Sequence, residues 1–515
     1  MARWFIDRSP QRGIPSVSLR RLLPDAQFVG CQDWEVSGCT SDTRKLDPGQ
    51  VFVAVRGERR DGHSFVDRAL ERGAAGVVVE RPCPGAGRLQ VVVPDSRSAH
   101  ARISHALAGA PADHLRVVGV TGRRGKEATG RFLRAIFEAA GEAVGSVGRS
   151  DWSDGGPSRP VGPESPGPDG YSAMLAAMVD GGCEAAILEV DVPALGRREV
   201  DGLAFEAAVI TTLGSPALGG DGPDREALLA RRRAFARMAR RVAPGGAVIF
   251  DADEPDADVL GAVNLGARRV TFGLARPADV SAEIDRADAD GTRFRLRGFD
   301  REAVVALRLA GEGHVRDALA AAAVAWARGL PLRAVVDGLE SVDRLPGRLE
   351  PVREGQDFEV RVDRSRTAPE VARALAATRA LASVPGRLIC VLGAEGKPDG
   401  LRHRLRRAAL ARAAEAGADR VILTTDNPRG EDPDQILDDL LAGLRHPGRA
   451  LVEPDRRRAI AAALADAQPG DAVLIAGKGR HTYQILADRV LPFDDAEVAA
   501  TCLRARLHVA RMTSA

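Results

Sequence analysis

One stretch of the chain carries a spacing suited to phosphate chemistry: Thr121-Gly122-Arg123-Arg124-Gly125-Lys126-Glu127-Ala128, set between an apolar run and a helix-forming segment. A glycine-rich turn ahead of a helix aims backbone N–H groups and the positive end of the helix dipole at an anion, and a lysine there neutralises phosphate charge. The simpler alternative is a glycine turn with a surface lysine. Where a Ser or Thr hydroxyl would ligate Mg2+, this chain has Glu127. A carboxylate about 4–5 Å from triphosphate oxygens costs on the order of 3–4 kcal/mol per unit charge at an effective dielectric near 20. A bound Mg2+ would offset part of that cost.

Other clusters are weaker. Arg231-Arg232-Arg233 with Arg237, Arg240 and Arg241 makes a basic helical stretch. No aromatic residues interleave for base stacking, so it reads as a solvated helix face and nucleic acid is not expected as a partner. Asp251-Ala252-Asp253-Glu254 reads as the turn after a strand rather than a metal cluster. The nine histidines show no ligand spacing, so no structural zinc site is expected. The six cysteines are scattered without a C-x-x-C pair, the pattern of reduced thiols in a cytosolic protein.

These residues need elements to hold them. Strands are expected at 51–55 and 75–79, with helices at 64–72 and 98–107 and a junction near Ala110-Pro111-Ala112-Asp113. A second unit opens with a strand at 115–120 and a helix at about 128–140. Further strands follow at 185–190, 207–213 and 247–251, and a helix at 314–327 leads to a junction at Gly329-Leu330-Pro331. A third unit has strands at 358–362, 387–392, 420–424 and 472–476. Strands alternating with helices imply βαβ units and largely parallel sheets. Residues 149–170, crowded with Gly, Pro, Ser and Asp, read as one long loop. The expected domains are 1–113, 114–332 and 333–515, all α/β.

Composition agrees with a globular protein of about three domains: 515 residues, 44% hydrophobic and 28% charged. With 73 Lys+Arg against 71 Asp+Glu, the net charge of +2 supplies no global field towards nucleic acid or membrane. No signal peptide and no apolar run of the roughly 20 residues needed to span a bilayer is present, so a cytoplasmic location is expected.

Several motifs in order carry a resemblance. They are Ser41-Asp42-Thr43-Arg44-Lys45 with Asp61-Gly62-His63, Leu188-Glu189-Val190, Val200-Asp201-Gly202-Leu203 and Pro346-Gly347-Arg348-Leu349-Glu350. Asp426-Asn427-Pro428-Arg429, Gly477-Lys478-Gly479 with Thr482-Tyr483-Gln484, and Phe493-Asp494-Asp495 complete the series. From about Val36 to Leu503 the chain resembles the Mur ligase family, and within it the UDP-N-acetylmuramoyl-tripeptide synthetases of the meso-diaminopimelate-adding type. The resemblance implies an N-terminal UDP-binding domain, a central P-loop ATPase-like domain and a C-terminal Rossmann-like domain. It also implies ATP and Mg2+ as cofactors and a UDP-MurNAc-peptide as ligand. The family phosphorylates a substrate carboxylate and lets an amine attack the acyl phosphate.

Carried over by motif, Lys126 and Glu189 would be catalytic, with Glu189 the Mg2+ ligand. Thr121, Gly122, Gly125, Lys126, Glu127, Arg348 and Asp363 would bind ATP. Ser41, Asp42, Thr43 and Arg44 would hold the uridine nucleotide, and Asp426, Asn427, Pro428, Arg429, Gly477 and His481 the rest of the substrate.

Departures from the family pattern fall on the chemistry. Arg123, Arg124, Glu127 and Ala128 replace four of six phosphate-loop positions. Asp191-Val192-Pro193 stands for Ser-Ser-His, and Thr212-Leu213-Gly214-Ser215-Pro216-Ala217 for Asn-Leu-Ser-Arg-Asp-His. Arg231 corresponds to a lysine that becomes carbamylated, and a guanidinium cannot form that anion. Asp363-Arg364-Ser365-Arg366-Thr367 stands for Asp-Tyr-Ala-His-Thr, which puts Arg366 at the histidine position. Gly393-Ala394-Glu395-Gly396-Lys397-Pro398-Asp399 stands for a Gly-Cys-Gly-Gly-Asp-Arg-Asp loop, and Arg480-His481 for His-Glu. The expectation is a homologue with catalysis reduced or lost, acting by binding precursor, nucleotide or a partner such as another Mur ligase or cell-wall enzyme. The alternative is an active ADP-forming ligase adding meso-diaminopimelate to UDP-MurNAc-L-Ala-D-Glu.

Overall fold

The structure is a computed structural model that describes residues 16–57, 60–84, 89–149, 151–161, 165–212, 225–254, 257, 266–288, 291–345, 347–381, 386–396, 400–479 and 481–513. Leu213 to Ala217, Pro346, Lys397 to Asp399 and Arg480, all singled out above, lie outside the described residues. The chain divides into two compact units. The first comprises residues 1–285, 294–305 and 312–341, and the second residues 286–293, 306–311 and 342–515.

The first unit opens with a five-stranded sheet of β1 (Gln27–Val29), β2 (Cys39–Thr40), β3 (Val51–Val53), β4 (Gly76–Val79) and β5 (Gln90–Val92), in the order β1-β5-β4-β3-β2. Only β1 runs antiparallel to its neighbour. Helix α1 (Ser96–Leu107) is capped by Asp95, whose carboxylate accepts from Ser98 N. Its Ala99 and Ile103 pack with Val51, Val53, Val78 and Val91.

The same unit continues with β6 (Arg116–Thr121), α2 (Lys126–Ala139), β7 (Val144–Val147), β8 (Asp151–Ser153), β9 (Arg159–Pro160), α3 (Gly167–Asp180) and β10 (Ala185–Glu189). It goes on through β11 (Phe205–Ile210), α4 (Arg225–Ala239), β12 (Val242–Asp251), β13 (Arg268–Gly273), α5 (Glu312–Ala327) and α6 (Leu332–Ser341). The strands lie in the order β9-β8-β7-β10-β6-β11-β12-β13, parallel from β7 onwards. Strands buried on both faces by flanking helices are apolar throughout rather than alternating, which is why β10 reads Ala-Ala-Ile-Leu before Glu189.

The segment 149–170 corrects the long-loop expectation. It contains β8 and β9, which add antiparallel strands to the edge of the sheet, and the start of α3. The pairing is anchored by Trp152, 5% exposed in the central core, which outweighs the turn-forming composition around it. Helix α6 packs on α2: a Cβ on Gly338 would stand 2.5 Å from Ile136 Cα, so the helices meet backbone to backbone.

The second unit holds β14 (Glu350–Pro351), β15 (Glu359–Asp363), α7 (Ala368–Leu381), β16 (Leu388–Ala394), α8 (Gly400–Gly417), β17 (Arg420–Thr425), α9 (Pro433–Leu441) and β18 (Leu451–Val452). Then come α10 (Arg456–Asp466), β19 (Ala472–Ala476), the hairpin of β20 (Tyr483–Ile485) and β21 (Val490–Pro492), and α11 (Asp495–Thr513). The sheet order is β14-β15-β19-β16-β17-β18, parallel from β15 to β18. Strand β19, the last of this sheet's strands in sequence, lies between β15 and β16. That reversal opens a crevice at the carboxyl ends of the strands, the usual place for a ligand in such sheets. Among the described residues no helix is long and apolar enough to cross a membrane, and all six cysteines are free thiols.

Candidate functional site

In the first unit the glycine turn leaves the carboxyl end of β6 and enters α2. Gly122 has φ +139°, and a Cβ there would lie 2.2 Å from Thr211 Oγ1. Gly125, the N-cap of α2, has φ +83°, and its Cβ would lie 2.3 Å from Asp317 Oδ1. Both positions therefore require glycine. The turn is held from the neighbouring strand end. Thr212 Oγ1 accepts from Arg123 N at 3.1 Å and Arg124 N at 3.0 Å, and Thr211 Oγ1 donates to Thr121 O at 3.1 Å. Lys126 Nζ donates to Gly122 O at 2.5 Å. Thr121 and Glu127 are buried, and Thr121 Oγ1 has no hydrogen-bond partner among the described residues.

Glu189 ends β10 opposite Val120 of β6, one strand from the turn. Its carboxylate and that of Asp151 flank Gly148, where a Cβ would lie 3.1 Å from an oxygen of each, and the other Asp151 oxygen is 3.6 Å from Arg131 NH2. Paired carboxylates at this strand end suit a hard divalent cation such as Mg2+, whose remaining ligands would be water and phosphate. Asp251, at the end of β12, is pushed up to about 6 by burial, against the pull of Arg316 3.3 Å away. Asp253 accepts from the backbone N–H groups of Leu274, Ala275 and Arg276, so the Asp251-to-Glu254 cluster begins a turn, as its sequence suggested. Arg231 is half-buried on α4, one turn before the fully buried Phe235.

Near the amino terminus, Asp42 caps the turn Thr43–Lys45 and pairs with Arg44 through Nε at 3.0 Å and NH2 at 2.7 Å. Its hydrogen bonds with Arg44 hold the Asp42 carboxyl below the ordinary range. Thr43 is buried, while Ser41 and Arg44 are exposed. His63 is structural in its contacts. Its Nε2 accepts from Glu80 N at 2.9 Å, which leaves the Nδ1 proton to donate to Asp61 at 2.7 Å.

In the second unit the expected residues gather at the carboxyl ends of the strands. Asp363 accepts from Leu349 N at 3.0 Å and from Ser365 Oγ, and burial pushes its carboxyl up. Arg348 is half-buried in the turn before β14. Arg366 Nε donates to Gly477 O at 3.1 Å, its NH1 lies 3.1 Å from Glu395 Oε1, and its NH2 lies 3.4 Å from His481 Nε2. Burial and the Arg366 cation push His481 down to about 3, so its imidazole is neutral.

Asp426 is fully buried, and neither carboxylate oxygen has a hydrogen-bond partner among the described residues. Lys478 Nζ lies 3.6 Å away. Burial opposes ionisation of Asp426, but the field of Arg366, Lys478 and Arg456 outweighs it and holds the carboxyl below its ordinary value. Asn427 Oδ1 accepts from Ile485 N at 2.8 Å while its amide nitrogen has no partner among the described residues. Arg429 adopts φ +57°, rare for a side-chain-bearing residue, and reaches to 3.9 Å from Glu395.

Asp151 has no sequence motif to mark it, and Glu395 and Lys478 stand in quoted motifs without being assigned a role there. Glu395 directly follows a buried parallel strand, a signal that was available. Asp151 was hidden by the loop-like composition around it.

Models of three successive segments match this chain: Mur ligase family, catalytic domain (35–108), Mur ligase middle domain (120–325) and Mur ligase, glutamate ligase domain (347–479). The chain is 36% identical over 469 residues to the UDP-N-acetylmuramoyl-L-alanyl-D-glutamate–2,6-diaminopimelate ligase of Geobacillus thermodenitrificans, covering 90% of this chain and 94% of that one. The chain belongs to the Mur ligase family. A UDP-N-acetylmuramyl-tripeptide synthetase of Roseiflexus sp. is 35% identical over 91% of this chain and 94% of its own length. A solved UDP-N-acetylmuramoyl-L-alanyl-D-glutamate–2,6-diaminopimelate ligase superposes with a TM-score of 0.66 at 26% identity, over 96% of this chain and all of that one. A Mur ligase from Thermotoga maritima solved with ADP shares the fold at 20% identity, with a TM-score of 0.56. The three-domain α/β Mur ligase architecture is thus present, and among its members the chain is most like the diaminopimelate-adding type.

Proposed function

We propose that this Mur ligase homologue binds the UDP-MurNAc-dipeptide precursor of peptidoglycan synthesis with its ATP-driven step reduced or lost. The observation that carries this reading is the state of the phosphate loop. Two of the N–H groups that would face phosphate, those of Arg123 and Arg124, are spent on Thr212, and the lysine ammonium lies on the Gly122 carbonyl. Buried Glu127 adds an anion at the helix end that would attract phosphate. Glu189 and Asp151 suit Mg2+, but the loop beside them offers a triphosphate fewer free donors. In the second unit Arg366, standing at a histidine position, pairs with Glu395 rather than offering a titratable base. The reading carries a cytoplasmic location with it, and a second cell-wall enzyme as the partner to seek.

A second reading, an ATP-dependent ligase adding meso-diaminopimelate, is favoured by the retained cluster of Asp426, Asn427 and Arg429 and by the activity named for the 36%-identical relative. One experiment separates the two. The full chain is incubated with UDP-MurNAc-L-Ala-D-Glu, meso-diaminopimelate, ATP and Mg2+, and ADP and tripeptide are followed. No product is expected, while the UDP-muramoyl peptide alone raises the melting temperature by mass action on the folded state. Turnover at an ordinary enzyme rate, roughly 1–10³ per second, overturns the first reading.

A further inference from the structure

Away from both phosphate loop and crevice, three side chains remote in sequence converge inside the first unit. Cys39 on β2, His100 on α1 and Asp169 in the first turn of α3 each direct one ligand atom to a common point, all three atoms lying within 4.8 Å of one another. We propose that Cys39, His100 and Asp169 bind a zinc-class divalent metal ion.

The His100 side chain is 6% exposed, and its Nε2 faces Asp169 Oδ1 at 3.3 Å. Without a metal that nitrogen pairs with the Asp169 carboxylate beside the Cys39 thiol, and a divalent ion would take the place of the shared proton between the three groups. In a tetrahedral zinc site, bonds of about 2.0–2.3 Å put neighbouring ligand atoms about 3.3–3.7 Å apart. The His100–Asp169 distance is already in that range, and the thiol needs only a side-chain adjustment of about an ångström to join it.

The carboxylate is also oriented from outside the trio. Ser104 Oγ donates to Asp169 Oδ1 at 2.5 Å and stands 3.8 Å from Cys39 Sγ, the kind of outer support that metal ligands commonly have. The Asp169 side chain is 62% exposed, which supplies both a path for the ion and an open fourth position for water. Thiolate, imidazole and carboxylate together favour zinc or cobalt over magnesium, whose preference is for oxygen alone. Bound metal would tie α3 to β2 and α1.

The test uses the full-length protein freed of metal by chelation and titrated with Co2+ alone. A saturable near-ultraviolet thiolate-to-cobalt charge-transfer band at one equivalent is expected, abolished by one equivalent of Zn2+. Oxygen-only Mg2+ sites give no such band, so the carboxylates near the phosphate loop do not interfere. Cys39→Ser should lose the band and Cys31→Ser should keep it. His100→Gln should weaken binding at least about tenfold, with Asp169→Asn as the alternative should His100→Gln fail to fold. Absence of a saturable band, or a band that survives Cys39→Ser, overturns the proposal.

Discussion

Glu127 and His481 are both buried where a charge of their own kind is unwelcome. Glu127 brings a buried carboxylate to the amino end of α2, next to the lysine that should meet phosphate. Glu127→Thr removes that anion, so ATP affinity measured by titration calorimetry should rise roughly ten- to hundredfold, on the order of 1.4–3 kcal/mol, without ligation appearing. An unchanged affinity would mean that Glu127 does not face the nucleotide.

His481 is held neutral, its pKa down to about 3 because it is buried beside Arg366. Between that value and the unfolded value near 6.5, the unfolded chain binds a proton that the folded chain does not. Stability is therefore full above pH 6.5 and falls as pH drops through this window. At pH 5 the loss relative to pH 7.5 is about 2 kcal/mol. His481→Gln should lack this component in denaturant unfolding compared across pH. Parallel pH profiles for the two proteins would refute the assignment.

Among the elements, the crevice of the second unit rests on an internal strut. Arg456, the first residue of α10, and Asp495, the first residue of α11, form a two-pronged ion pair at 2.7 Å on both prongs, with each side chain 0% exposed. The same guanidinium donates to Thr425 O at 3.3 Å and Ala476 O at 3.2 Å, joining the ends of β17 and β19 from which Asp426 and Lys478 project. It also sets the spacing at Gly393, where a Cβ would meet Arg456 NH1 at 2.6 Å. Arg456→Met strands a buried carboxylate, and a loss of about 3–5 kcal/mol is expected in chemical denaturation. Arg456→Met with Asp495→Leu should recover much of it. A single variant within 1 kcal/mol of the parent would show that the strut is not structural. Arg407 plays a similar part on α8, pairing with Glu431 at 2.6 Å and Asp439 at 2.8 Å while donating to Glu395 O at 3.0 Å.

For the molecule as a whole, the substitutions act as a set. Groups that work as a catalytic unit are strongly non-additive, so restoring one returns almost nothing. Arg231→Lys should be silent in an amide-formation assay read by mass spectrometry. A carbamate formed there would still have to work with a loop closed by Thr212 and carrying Glu127. Recovery is expected only from changes combined at Arg123, Arg124, Glu127, Ala128, Pro193, Arg231 and Arg366. Substantial ligation by Arg231→Lys alone would show the rest of the site to be competent already.

By itself the sequence determined the layered α/β order, because buried parallel strands are continuous apolar runs such as Ala472–Ala476. It also determined the phosphate turn, because Gly122 and Gly125 occupy backbone conformations that side chains resist. Both are local signals, set within a few residues of chain. Tertiary structure alone decided the rest, because each remaining feature depends on residues far apart in the chain. Thr212 reaches back 88 residues to close the loop at Arg124. Trp152, buried in the core, makes strands of a stretch whose composition favours turns. Cys39, His100 and Asp169 have no ligand spacing along the chain, and become neighbours only where β2, α1 and α3 meet.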